Sequence, residues 1–127
     1  MPTPTKITML WIVVLINMAF ADILSLFYPG AIDEVASGVV EGVVLTPVFL
    51  LVAAVFIEIG IVMIFLTGTL APRTSRIANL TAAAFTILFV VGGGSLKLHY
   101  IFFGSAEVIA LLYIAYLAWN WRNCEPA

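Results

Sequence analysis

Three carboxylates stand where the sequence offers them least water. Asp22 follows the run INMAFA, Glu58 is the one charge in PVFLLVAAVFIEIGIVMIFLTGTL from Pro47 to Leu70, and Glu107 interrupts the apolar stretch from Leu98 to Trp121. An ionised carboxylate facing hydrocarbon costs at least a few kcal/mol, so each is expected to face protein, water or a partner, or to hold a proton. If the three converge, crowding and desolvation leave at least one of them protonated at neutral pH. Such a site can hold a cation, exchange a proton, or donate a hydrogen bond to a polar group on a lipophile. Ser25 lies one turn from Asp22, and Tyr100, Phe103 and Gly104 precede Glu107 by seven, four and three residues, on its own face. That is an aromatic mouth beside carboxylates, suited to an organic cation through charge pairing and cation–π attraction. His99 sits near that mouth as a relay or gate, or more plainly as an interfacial histidine.

A plainer reading competes. Each acid can be protonated and hydrogen-bonded to Asn17, Thr86, a tyrosine or a backbone carbonyl, tying helices together at about 0.6 kcal/mol per bond. Asn17 is five residues from Asp22, about 140° away around a helix, so the two cannot share one face. Three acids at similar depth favour a cavity, because structure alone needs no such costly groups. One histidine and three carboxylates show no metal-ligand spacing, and no cofactor motif is present.

The elements that must position these acids follow from composition. Of 127 residues 64% are hydrophobic and 9% charged, with mean hydropathy +1.20, far from a soluble domain. The expected class is all-α, an integral membrane four-helix bundle in one domain. The net charge of -2 offers no basic surface to nucleic acid, and a single cysteine, Cys124, excludes an intrachain disulfide. Spans are expected at 7–28, 47–70, 77–94 and 98–121. Pro47 to Leu70 alone covers about 36 Å against a hydrocarbon core of about 30 Å. Ala19-Phe20-Ala21 resembles a signal-cleavage site, but apolar sequence continues to Tyr28, so a retained span is expected. Between spans one and two, Ile32, Val35, Ala36, Val39, Val40 and Val43 follow helical spacing opposite Glu34, Ser37, Gly38 and Glu41. This predicts an amphipathic surface helix over about 31–45, either a connector or a lid. Thr74 or Ser75 is expected to cap span three, whose Ala78, Ala82, Ala83 and Ala84 allow close packing.

Lys6, Arg73, Arg76 and Arg122 flank one side, whereas Lys97 stands on the other with Asp33, Glu34 and Glu41. By the positive-inside rule both termini are expected in the cytoplasm. Depths from the outer boundary are then about 9 Å for Asp22, 10 Å for Glu107 and 16 Å for Glu58. No lysine or arginine shares that depth.

Ala21-Asp22-Ile23-Leu24-Ser25-Leu26 with Pro29-Gly30, Ala53-Ala54 with Glu58-Ile59 and Met63, Arg73 and Arg76 with Ala78-Asn79, Tyr100 to Phe103 with Glu107, and Trp119-Asn120-Trp121 together form a pattern. It resembles an uncharacterised family of small bacterial four-helix membrane proteins, loosely similar to DoxX-like proteins, and covers nearly the whole chain. The resemblance implies a multi-pass protein of the bacterial inner membrane and carries no activity. Where the family pattern has a proline after the Glu-Ile pair, this chain has Gly60, so glycine flexibility replaces a proline kink. In arrangement alone, intramembrane acids are also similar to those of sterol-isomerase and sigma-2-receptor folds. The expected function is binding or transport of a cationic or amphiphilic small molecule, or of protons, by a homo-oligomer in the lipid bilayer. An acid/base enzyme acting on a lipid and an accessory subunit of a larger complex are the alternatives.

Overall fold

A computed structural model describes residues 1–93 and 97–121. Five α-helices and one short hairpin run in the order α1 (Thr3–Ser25), α2 (Ala31–Ser37), β1 (Val39–Val40), β2 (Val43–Val44), α3 (Pro47–Thr69), α4 (Pro72–Gly92) and α5 (Leu98–Trp119). Helices α1, α3, α4 and α5 are long and apolar enough to cross a membrane. The protein is a membrane protein with transmembrane helices. The expectations at Gly94-Ser95, Arg122 and Cys124 fall outside the described residues.

Three of the four long helices start in the same way. An extended residue leads into a proline at the first or second helical position, as Pro4, Pro47 and Pro72 do. Proline has the right φ for a first turn and its missing N–H would have had no partner there. At α3 the Thr46 hydroxyl also accepts from the Phe49 N–H at 3.0 Å. Proline rather than a hydroxyl opens α4, so the helix starts five residues before Ile77. Ser75 is consequently no cap but a fully buried residue in the first turn.

The segment between α1 and α3 also differs from expectation. It is helical over Ala31–Ser37 alone. Gly38 closes it with φ +84°, and Val39 and Val40 then pair antiparallel with Val44 and Val43. Glu41 (φ +51°) and Gly42 (φ +81°) make the two-residue turn between them, the double left-handed conformation that matches hairpin twist. The valines at 39, 40 and 43 fit helical spacing, but β-branching and the three left-handed positions Gly38, Glu41 and Gly42 decide for strand.

Helix α1 packs on α3 and α5, and α4 packs on the same two. The packing is uneven along the helices. Buried residues gather in the first half of α1 (Ile7, Trp11, Val14), the second half of α3 (Gly60, Met63, Thr67), the first half of α4 (Ser75, Asn79, Ala82, Ala83) and the second half of α5 (Leu111, Ile114, Ala118). These halves are neighbours, so one end of the molecule is solid.

Polar groups organise that end. The Trp11 indole N–H donates to Asn79 Oδ1 at 2.8 Å, and Thr67 Oγ1 lies 3.3 Å from the same oxygen. Asn79 Nδ2 donates to the Ser75 carbonyl at 2.8 Å, and Ser75 Oγ donates to the Thr67 carbonyl at 3.3 Å. All four side chains are fully buried, and the network joins α1, α3 and α4. Gly60 lets α3 approach: a Cβ there would stand 3.1 Å from Leu15 Cδ2 and 3.4 Å from the Trp11 ring. Helix α3 runs unbroken through this position, so Gly60 serves close packing. A Gly60→Leu variant should lose about 1–3 kcal/mol, the usual cost of overpacking, read as a lowered unfolding midpoint in detergent, while Gly60→Ala should lose much less.

Candidate functional site

The other end of the molecule is open. A cavity of about 590 Å³ is lined by all four long helices: Met18, Ala21 and Asp22 on α1, Phe49 to Ile57 positions on α3, Leu88 to Gly92 positions on α4, and Tyr100 and Glu107 on α5, with Gly93 following α4. Phe56 and Phe89 stack at 5.2 Å between ring centroids, 7° from parallel, between α3 and α4. The wall is mostly apolar, with two carboxyls and one phenol as its titratable groups.

Glu107 is 3% exposed, and neither a hydrogen-bond donor nor a cation contacts it among the described residues. Asp22 is the accessible acid of the pair. The two are close enough for their charges to interact, and Tyr100 feels both. Helical position explains the meeting: Asp22 is three residues from the end of α1, and Glu107 is in the first half of α5, so the antiparallel pair brings them to one end. Glu107 is thus a buried residue whose carboxyl opens on the cavity with no protein donor among the described residues, a place that a cationic or hydrogen-bonding guest can fill.

The remaining residues singled out from the sequence lie elsewhere. Glu58 is exposed on α3 and does not line the cavity. Along α3 the inward stripe is Phe49, Ala53, Phe56, Gly60, Met63 and Thr67, and Glu58 is two residues, about 200°, from the nearest of these. Convergence of three acids therefore reduces to two. Ser25 and His99 form a link at the helix ends: Ser25 Oγ donates to the Ala21 carbonyl at 2.7 Å and lies 3.0 Å from His99 Nε2. One hydroxyl hydrogen serves the carbonyl, so the imidazole donates and its hydrogen is on Nε2. Phe103 is half-buried, edge-on to Phe102 at 6.0 Å, and outside the cavity wall. Asn17 turns back on its own helix, with Nδ2 donating to the Val13 carbonyl at 2.8 Å.

Beyond the cavity, Lys97 Nζ lies 3.6 Å from Glu41 Oε1 and 4.3 Å from the centre of the Tyr28 ring. The hairpin tip, the chain after α1 and the start of α5 are thereby fastened together. At the solid end Arg76 stands over the Trp119 ring at 5.6 Å. Among the described residues no three His, Cys, Asp or Glu side chains gather closely enough to hold a metal ion.

Sequence reasoning passed over Phe56, Phe89 and Met18, which make most of the cavity's character. The signal was present in α3, where Ala53, Gly60 and Thr67 recur every seven residues and mark the packing face. No curated protein and no solved structure matches the chain. Its sequence does match, over residues 4–127, the model of a family of unknown function, DUF6326, and the chain belongs to that family.

Proposed function

We infer that the protein is a four-helix bundle of the bacterial inner membrane, both termini cytoplasmic, that binds a cationic amphiphile in the cavity at its outer end. One observation carries this reading. Glu107 is buried without a protein donor beside Asp22, in a cavity that apart from the Tyr100 phenol is apolar and whose wall, among the described residues, includes no lysine, arginine or histidine. The volume of about 590 Å³ lies within the usual range for small-molecule sites, about 300–1,000 Å³. An ammonium or guanidinium head satisfies both carboxyls, and an alkyl or aromatic body covers Phe49, Phe56 and Phe89. Neither charge alone nor apolar surface alone uses the whole site. Transport is the natural extension, since the carboxyls can exchange a bound cation for protons.

Native mass spectrometry of gently purified protein tests this. Wild type is expected to retain an adduct of a basic, lipophilic molecule, or of added dodecyltrimethylammonium, that Glu107→Gln loses. Protein that stays empty in both forms, with the probe in excess, contradicts the reading.

A further inference from the structure

Glu58 stands at the middle of α3, with Pro47–Ile57 before it and Ile59–Thr69 after it. In a spanning helix this is the depth farthest from water on either side. Its side chain is exposed, turned away from α1 and α4, and has no hydrogen-bond or ion-pair partner among the described residues. Around it runs an outward stripe at alternating spacings of four and three: Leu51, Val55, Glu58, Val62 and Phe65, all exposed. That repeat of 3.5 residues is the seam of two helices crossing at a shallow left-handed angle. An outward carboxyl in mid-bilayer is expensive in either protonation state, because hydrocarbon offers its oxygens and hydrogen nothing to bond.

We propose that this face of α3 is the contact surface for a second copy of the chain, with the two Glu58 carboxyls meeting at the crossing point. The self-partner is favoured by symmetry and by chemistry. A two-fold axis along the membrane normal sets each residue on the axis against itself at equal depth, and Glu58 is the one polar group near the middle of the stripe. Two protonated carboxyls satisfy each other as a neutral pair, each donating its hydrogen to the other's carbonyl oxygen, so no charge is left at mid-membrane. A different protein with a lysine or arginine at mid-membrane is the competing occupant, and disulfide trapping separates it from a second copy. Among the described residues, this chain's own Lys6, Arg73, Arg76 and Lys97 lie within the first five residues of long helices or just before one, so a second copy meets Glu58 with a carboxyl at the same depth and not with a cation. The packing of apolar Val55 and Val62 on either side shields the carboxyl pair from lipid.

Disulfide trapping in native membranes tests the surface. In a Cys124→Ser background, Val55→Cys and Val62→Cys should give dimers on mild oxidation at no less than fivefold the yield of Ile109→Cys, which is outward-facing on α5. Glu58→Gln should keep the Val62→Cys yield, because an amide both donates and accepts, whereas Glu58→Leu should reduce it severalfold. Yields at Val55 and Val62 no higher than at Ile109 overturn the proposal. So does an unchanged yield in Glu58→Leu, or trapping of a different protein in place of a second copy. Failure here leaves ligand binding at Glu107 untouched, because the two faces are on opposite sides of α3.

Discussion

Replacing Glu107 by glutamine should weaken binding of dodecyltrimethylammonium by about 10- to 100-fold. The quaternary nitrogen has no N–H to donate, so charge attraction carries the effect, up to about 3 kcal/mol for a carboxylate about 5 Å away at an effective dielectric constant of about 20, and each 1.4 kcal/mol is tenfold. The glutamine keeps volume and shape, so the cavity stays and the apolar share of the affinity with it. Asp22→Asn should cost less, about threefold to tenfold, because Asp22 is exposed and the cavity encloses it less than Glu107. The two acids act on one charge, so the double variant should fall short of the product of the single effects. Titration of purified protein in lipid nanodiscs, following the bound probe by mass, gives these ratios. Equal affinity of wild type and double variant contradicts cation recognition by this pair.

The largest stability effect is expected at the other end of the molecule. Asn79→Leu removes the oxygen that accepts from the Trp11 indole and stands 3.3 Å from the Thr67 hydroxyl. Thr67 retains the Met63 carbonyl at 2.6 Å, but the indole N–H is left buried with no acceptor. Loss of a buried partner costs about 1–3 kcal/mol, and the amide's own bond to the Ser75 carbonyl at 2.8 Å goes as well. A total of about 2–4 kcal/mol follows, measured as a lowered midpoint in denaturant-titrated detergent micelles. Trp11→Phe should cost less, about 1–2 kcal/mol, because Asn79 keeps its other partners. If Asn79→Leu unfolds at the wild-type midpoint, the network is not what holds α1, α3 and α4 together.

How these two ends divide was partly legible in the sequence. The four spans were plain from hydropathy, and their bounds moved by a few residues only, chiefly at α4, where Pro72 opens the helix. The pairing of Asp22 with Glu107 followed from depth, because antiparallel spans of similar length bring the end of one to the start of the other. Glu58 shows the limit of that argument. Depth along a helix says nothing of direction around it, and the small residues Ala53, Gly60 and Thr67 already marked the opposite face of α3 as the packed one. The hairpin at Val39–Val44 was hidden for a different reason. Its valines satisfy helical and strand periodicity together, and the decision lay with the backbone at Glu41 and Gly42. Asn79 was visible as a polar residue inside a span, but its partner Trp11 is 68 residues away, a distance no local pattern bridges.

On the proposed reading, charge at the Asp22 and Glu107 end, rather than apolar surface alone, selects the guest. The most direct measurement compares dodecyltrimethylammonium with its neutral isostere, in which carbon replaces the nitrogen, across wild type, Glu107→Gln and Glu58→Gln. Wild type and Glu58→Gln are predicted to prefer the cation by tenfold or more, and Glu107→Gln is predicted to bind the two alike. Equal affinity of wild type for cation and isostere, or a preference that survives in Glu107→Gln and disappears in Glu58→Gln, would contradict it.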